Sequence, residues 1–143
     1  MARFRDESVV PAAFAAYLEP GETLRHWAYG VKQPHVLAII GLYALAILPG
    51  IIGVAVMTRE YVVGMTDRRF IALRFRGGAI KVEGVLAWPL DALPPARTST
   101  GALFTHIALA DPARPFRAKF HRLGMAGNRE QAMAMGAALT RLR

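Results

Sequence analysis

The longest run of apolar positions in the chain covers residues 36–57 and contains no charged side chain. A helix rises about 1.5 Å per residue, so this run would reach roughly 33 Å, about the thickness of the hydrocarbon core of a bilayer. A helix in the core of a small soluble domain normally has one polar stripe, and this run has none. The pattern therefore predicts a membrane segment and disfavours a buried core helix.

Pro49 and Gly50 lie within this run and leave two paths open for it. The run can be a single kinked span, because proline bends a membrane helix without necessarily ending it. It can also be a wedge that enters one leaflet and returns, with its turn at Pro49 and Gly50, because arms of roughly 20 and 10 Å are too short to cross twice. The predicted membrane anchor consists of Leu37, Ile40, Leu45, Leu48, Pro49, Gly50, Ile51, Ile52 and Val56.

Outside this run, apolar and polar positions alternate with a period of two, which is typical of half-buried β-strands. Strands are predicted at residues 22–31, 59–65, 70–76, 79–90, 104–111 and 115–122, with a turn at Gly77 and Gly78. In the last of these strands, Phe116 and Phe120 fall on an inner face, and Arg117 falls on the outer one.

Two further helices are predicted near the ends of the chain. A short alanine-rich helix precedes the first strand and ends before Pro20 and Gly21. From Asn128, the predicted N-cap, with Gln131 in the capping-box position, apolar residues recur at helical spacing through the tail. Antiparallel strands followed by one amphipathic helix indicate an α+β fold, in which the helix covers an opening of a curved sheet.

The composition narrows the classes of function. With 143 residues the chain has the length of one domain, and its lack of cysteine excludes disulfides, thiol catalysis and zinc–cysteine sites. Residues 1–35 carry as many acidic as basic groups, so the whole net charge of +8 lies after residue 57. Such an excess requires a negative partner or surface, for example anionic lipid, nucleic acid or an acidic protein.

Basic residues alternate with apolar ones along two of the predicted strands. One strand places Ile71, Leu73 and Phe75 on the face opposite Arg74 and Arg76. The basic positions predict an outer face that is either solvated or lies against an anionic leaflet, where each cation contributes about 1 kcal/mol. The candidate contacts to an anionic surface are Arg68, Arg69, Arg74, Arg76, Arg117, Lys119, His121 and Arg122.

The sequence contains no motif for catalysis or cofactor binding. Neither Ser8 nor Ser99 lies in a G-x-S-x-G elbow, and the four histidines lack the spacing of metal ligands. We therefore expect a protein that is not an enzyme and that uses no cofactor or metal. Nucleic acid is a disfavoured partner, because Phe116 and Phe120 lie opposite the basic residues, whereas nucleic-acid binders interleave the two on one surface.

Two short motifs carry a family resemblance. The stretch YVVGMTDRRFIALRF, residues 61–75, resembles the hairpin of bacterial pleckstrin-homology-like (PH-like) domains, in which a Thr-x-x-Arg turn joins two apolar strands. The stretch LEPGE, residues 18–22, is similar to the Leu-x-x-Gly-Glu motif that opens the first strand in that group. The resemblance maps Thr66, Asp67, Arg68 and Arg69 onto the family's hairpin turn, where their role is structural.

The resemblance implies a PH-like antiparallel half-open β-barrel of seven strands, capped by the C-terminal helix, often tethered to a bacterial membrane and not enzymatic. Residues 1–34 and 59–143 would form one domain, and residues 35–58 would be an apolar insertion between its first two strands. That insertion occupies the place of the basic phosphoinositide loop of eukaryotic lipid-binding relatives. Because the first two strands must lie on the same side of the membrane to pair, the resemblance favours the wedge over the span.

The sequence thus predicts a membrane-associated, non-catalytic PH-like binding or scaffold module on the cytoplasmic side of a bacterial inner membrane. Its expected partner is membrane lipid of anionic character, with a protein partner or a second copy of the chain as further options. The main alternative is a soluble homo-oligomer that buries the apolar run between copies.

Overall fold

The computed structural model describes residues 8–33, 35–76 and 81–142. Its helices are α1 (Val9–Ala15), α2 (Val36–Leu45), α3 (Ile47–Met57) and α4 (Asn128–Arg141). Its strands are β1 (Leu24–Lys32), β2 (Arg59–Thr66), β3 (Arg69–Phe75), β4 (Val82–Pro89), β5 (Ala96–Thr100), β6 (Phe104–Leu109) and β7 (Phe116–His121). A 3-10 turn, Leu90–Ala92, follows β4. The turn predicted at Gly77 and Gly78, with the start of the strand predicted at 79–90, lies outside the described residues.

The seven strands form one antiparallel sheet in the order β4-β3-β2-β1-β7-β6-β5. The sheet is not closed, because β4 and β5 are its two edges. The prediction of an α+β fold with antiparallel strands and a C-terminal helix is confirmed at this level. The apolar pattern does not predict strand β5, because its sequence, ARTST, has no apolar alternation.

The sheet has a core on each of its faces. On the inner face α4 packs Met135 and Leu139 against sheet residues that include Phe120. On the outer face α1 packs Phe14 against β2 and β3, close to Gly64, where a side chain would collide with the Phe14 ring. Each large side chain that is fully buried in this way contributes roughly 1.5–3 kcal/mol.

The double core corrects the prediction for β3. The alternation predicts Ile71, Leu73 and Phe75 opposite a polar face, but Phe70 and Ala72 on that opposite face are also buried. The apolar positions of both faces are covered, one by α1 and the other by the inner core. The strand is therefore a nearly continuous apolar run, as expected of a strand with packing on both sides.

Asn128 joins two strands where the sheet opens. Within the described residues, β1 and β7 are paired at a single position, Val31 with Lys119. Two residues along each strand, the side chain of Asn128 accepts a hydrogen bond from Tyr29 N (2.7 Å) and donates to the carbonyls of Tyr29 (2.9 Å) and His121 (2.8 Å). The predicted N-cap role of Asn128 is wrong, since Gly127 is the N-cap, with φ 64°.

The apolar run forms a helical hairpin, residues 36–57, which is the connection between β1 and β2. The turn predicted at Pro49 and Gly50 is wrong, because the break lies at Ala46, whose backbone is extended with φ −174° and ψ 150°. A proline at position 49 disfavours a continuous helix through this run, because proline lacks a backbone N–H and crowds the carbonyl four residues earlier. Pro49 instead lies in the first turn of α3, where its missing N–H has no helical partner to lose.

Gly50 allows the two helices of the hairpin to meet closely. A Cβ atom at this position would lie 2.9 Å from the carbonyl oxygen of Leu42 and 3.0 Å from the Cα of Tyr43. At Gly53, one turn further, a Cβ would lie 3.1 Å from the side chain of Leu42. Small residues at a crossing let helical backbones approach, as in helix pairs within membranes.

Candidate functional site

The helical hairpin exposes apolar side chains along both of its helices. The exposed fraction is 82% for Leu45 and 68% for Leu48, which flank the break at Ala46. Of the predicted anchor residues, the following have exposed side chains: Leu37, Ile40, Leu45, Leu48, Ile51, Ile52 and Val56. Gly50 is buried at the helix crossing. Soluble monomers rarely expose a contiguous apolar surface of this kind, which marks a site of interaction.

Neither helix of the hairpin reaches the length that a membrane crossing requires, and the same holds for every other helix among the described residues.

Two clefts lie where the hairpin joins the sheet. We call the first the basic cleft; it has a volume of about 890 Å³. Its charged and titratable lining residues are Lys32, His35, Arg97, His106, Arg117 and Lys119. The second, the mixed cleft, has a volume of about 1030 Å³. Its charged lining residues are Arg59, Glu60, Arg74, Arg76, Glu83 and Lys119.

The pairing of the strands arranges the basic cleft. Arg97 on β5 and Arg117 on β7 are both direct cross-strand partners of Ala108 on β6. Two residues along β6 and β7, His106 pairs with Lys119. Neighbouring strands are about 4.8 Å apart, so the backbones of the two arginines are about 10 Å apart, with the small Ala108 between them. The cleft is therefore a basic trough with an apolar floor.

Lys119 separates the two clefts and is held in place on several sides. Its ammonium donates a hydrogen bond to Gln33 Oε1 and lies 4.8 Å from the centroid of the Phe104 ring. Partial burial lowers the pKa of Lys119 below its ordinary value, because removal from water disfavours the charged form. An anion in either cleft would offset that desolvation.

The mixed cleft already contains its own counter-charges. Glu83 lies 3.6 Å from Arg74 and 3.9 Å from Arg76. Glu60 accepts a hydrogen bond of 2.6 Å from the Tyr29 hydroxyl, and burial together with this bond raises the pKa of Tyr29. The mixed cleft therefore holds two carboxylates against its four cations, and Glu83 pairs with two of those cations.

Arg69 belongs to a structural network at the opposite end of the sheet. Its guanidinium binds Glu22 through two hydrogen bonds of 2.9 and 2.6 Å and donates a third to the carbonyl of Tyr17. Thr66 Oγ1 donates to Glu22 and accepts from the backbone N–H of Arg69. The hydrogen bonds from Arg69 are the main reason that the pKa of Glu22 falls from 4.5 to about 2. The carboxylate therefore stays ionised although its side chain has no exposed surface.

The remaining candidates also lie away from the clefts. Arg68 is half exposed and lies 3.9 Å from Glu19. His121 accepts a hydrogen bond from Leu123 N and stacks edge-on against Phe104, and Arg122 is exposed just after β7.

The structure thus divides the eight candidate residues among several places. It brings Arg117 and Lys119 together in the basic cleft, and Arg74 and Arg76 together in the mixed cleft. Sequence reasoning missed Lys32, Arg97 and His106, which complete the basic cleft. The missing signal was strand register, since Arg97 lies on the strand that the alternation did not reveal.

Comparisons with known proteins find a likeness in fold and none in sequence. No protein-family model matches the sequence, and no curated protein resembles it significantly. Among solved structures, the chain is similar to the hSac2 domain from the human phosphoinositide phosphatase Sac2, with a TM-score of 0.50 and 6% sequence identity. The likeness covers 94% of this chain and 78% of that one. At such low identity it concerns the fold alone.

Proposed function

We propose that this protein is a PH-like, non-catalytic module that binds a membrane surface by inserting the helical hairpin into one leaflet. The observation that carries the proposal is the exposure of large apolar side chains along both helices of the hairpin, at Leu37, Leu45 and Val56 among others. A bilayer interior is a natural environment for a helix pair without a polar stripe. The proposed location is the cytoplasmic face of a bacterial inner membrane.

The dimensions of the hairpin suit one leaflet. Helices α2 and α3 have 10 and 11 residues, which gives each a length of roughly 15 Å, about half of the hydrocarbon thickness. The two ends of the hairpin are on the same side, because Lys32 and Arg59 are cross-strand partners. The sheet would therefore rest on the membrane that the hairpin enters.

The fold supports a PH-like assignment. The open seven-stranded sheet, the C-terminal helix and the Thr66 turn network correspond to what the sequence resemblance implies. The similar solved domain belongs to a protein that is named as a phosphoinositide phosphatase, which favours a relation to lipids. We extend this to lipid binding only, since no catalytic motif is evident in the sequence.

Vesicle flotation with matched variants tests the proposal. The double substitution Leu45→Asp and Leu48→Asp places two charges at the hairpin tip, and we expect it to abolish flotation with lipid vesicles. The control, Leu103→Asp and Leu123→Asp, makes the same change at exposed leucines outside the hairpin and should float like the wild type. Equal loss in both variants, or full release of the wild type by high salt alone, would refute insertion of the hairpin.

The same exposed surface favours one alternative, a homo-oligomer that buries its hairpins between copies. Mass measurement in the absence of lipid and detergent separates the two. A discrete oligomer that leaves vesicles unbound and that dissociates on Leu45→Asp and Leu48→Asp would replace the membrane proposal.

A further inference from the structure

We propose that the basic cleft binds the phosphate of an anionic lipid headgroup in the same leaflet that the hairpin enters. This inference rests on the proposed membrane function and adds a ligand class and a site to it. The cleft adjoins the hairpin directly, since His35 and Ile39 form part of its lining. A headgroup beside an inserted hairpin would therefore lie at the mouth of the cleft.

The lining of the basic cleft carries positive charge without a compensating carboxylate among its described residues. Lys32, Arg97, Arg117 and Lys119 carry positive charge, and the described part of the lining contains no aspartate or glutamate. Among the described residues, none of these four cations forms an ion pair with a carboxylate. In the mixed cleft, by contrast, Glu83 lies within ion-pair distance of both Arg74 and Arg76, so the basic cleft has the larger uncompensated positive charge. A concave surface of one sign concentrates its counter-ions.

The spacing of the two arginines in the basic cleft suits a phosphate group. Arg97 on β5 and Arg117 on β7 lie on either side of Ala108 on β6. Their side chains therefore start on opposite sides of a small residue. Arginine forms paired hydrogen bonds with phosphate oxygens, and two arginines about 10 Å apart at the backbone can reach one phosphate from both sides. His106 on β6 and Lys119 on β7 lie two residues from Ala108 and Arg117, and therefore on the same face of the sheet.

Lys119 is held in position at the basic cleft. Contacts with Gln33 and Phe104 hold its ammonium between the clefts. Lys119 has no carboxylate partner within the described residues, and such a partly desolvated ammonium gains more from a bound anion than a fully hydrated one.

Binding to vesicles of two compositions tests the proposal. The probes are vesicles of phosphatidylcholine alone and of phosphatidylcholine mixed with phosphatidylglycerol. We expect Arg97→Ala combined with Arg117→Ala to weaken binding to the mixed vesicles about 30-fold, or about fivefold per arginine, and to leave binding to phosphatidylcholine unchanged. The control is Arg25→Ala combined with Arg141→Ala, which removes the same charge from exposed positions outside the cleft. The control should retain most of the preference for anionic vesicles.

The outcomes separate this inference from the proposed function. Equal weakening in the two double variants would show that the preference for anionic vesicles is a diffuse charge effect and would refute binding in the basic cleft. Hairpin insertion into phosphatidylcholine would be unaffected by that result. Failure of the wild type to bind either vesicle would refute the proposed function itself. Titration with inorganic phosphate distinguishes the source of the ligand: free phosphate should bind far more weakly than mixed vesicles. Tight binding of free phosphate that depends on Arg97 and Arg117 would overturn the lipid assignment.

Discussion

The side chain of Asn128 binds both backbone groups of Tyr29, accepting from its N–H at 2.7 Å and donating to its carbonyl at 2.9 Å. A third bond, from Nδ2 to the carbonyl of His121, extends this bridge from β1 to β7. The amide thus replaces backbone pairing where the two strands separate. Only a group that both donates and accepts can make all three bonds.

We expect Asn128→Asp to destabilise the fold about as strongly as Asn128→Ala, by about 3 kcal/mol. A carboxylate can accept from Tyr29 N but cannot donate to two carbonyls, and the site is fully buried, so the lost bonds are not replaced by water. Urea denaturation of the variants measures this loss. An N-cap would give the opposite result, because aspartate caps helices as well as asparagine does. Full stability of Asn128→Asp would therefore restore the capping interpretation.

The Glu22 network should make the fold sensitive to acid. The folded pKa is about 2 and the ordinary value is 4.5, so the native state holds its carboxylate ionised. A lowered folded pKa means that the stabilisation is complete above pH 4.5 and is lost as the pH falls from 4.5 towards 2. The shift corresponds to roughly 3 kcal/mol.

Glu22→Gln provides the comparison for the acid effect. We expect the variant to be less stable at neutral pH, because it leaves Arg69 without its counter-charge, and to lose much of the dependence on pH between 4.5 and 2. Glu19→Gln removes an exposed pair with Arg68 at 3.9 Å and a minor electrostatic effect on Arg69, and it should change stability by less than about 1 kcal/mol. An unchanged acid transition in Glu22→Gln would contradict the assignment.

The helix crossing at Gly50 should not tolerate a side chain. Gly50→Ala forces a Cβ against the backbone of α2, and we expect it to separate the helices at a cost of about 1–3 kcal/mol. Gly41→Ala is the matched control, because a Cβ at that position would have no atom within 4 Å and alanine favours a helix. Amide hydrogen exchange of α2 and α3 in the presence of vesicles measures the difference. Equal protection in both variants would argue against this crossing.

The depth of the hairpin in the bilayer should follow its geometry. The chain has no cysteine, so a single cysteine placed at Leu48 or Leu37 can carry an environment-sensitive dye. We expect the dye at Leu48, near the break, to be quenched by bromine deep in the lipid tails, and the dye at Leu37, near the sheet, to be quenched closer to the headgroups. The reverse order, or equal quenching at both sites, would contradict a wedge that enters tip first.

The sequence revealed the parts of this molecule that follow local rules. The period of two located six of the seven strands, and the helical spacing located α4, because each face of these elements has a consistent environment. Strand β5 escaped because it alternates no apolar residues. The break at Ala46 lies three residues before Pro49 and not at it, and proline disfavours helix at positions before its own in the chain.

The candidate site was less accessible to sequence reasoning, because it depends on register. Lys119 and Arg117 are evident from their own strand, but Arg97 joins them only through a shared partner, Ala108. The charge of Arg69 makes it a candidate for an anionic contact, whereas its partner Glu22 lies 47 positions away along the chain. The number of charged residues in a sequence does not show which cations are paired with a carboxylate in the fold and which can bind an external anion.

The direct pairing of Lys32 with Arg59 makes the hairpin a removable module. Residues 33–58 occupy the place of a tight turn between two adjacent strands, so a two-residue Asn-Gly turn would join the same strand ends in the same register. If the proposed function holds, the same segment inserted at the turn of an unrelated β-hairpin would bring that protein to a membrane. Under the proposed function, one insertion or deletion would therefore add or remove attachment to lipid without a change in the order of the strands.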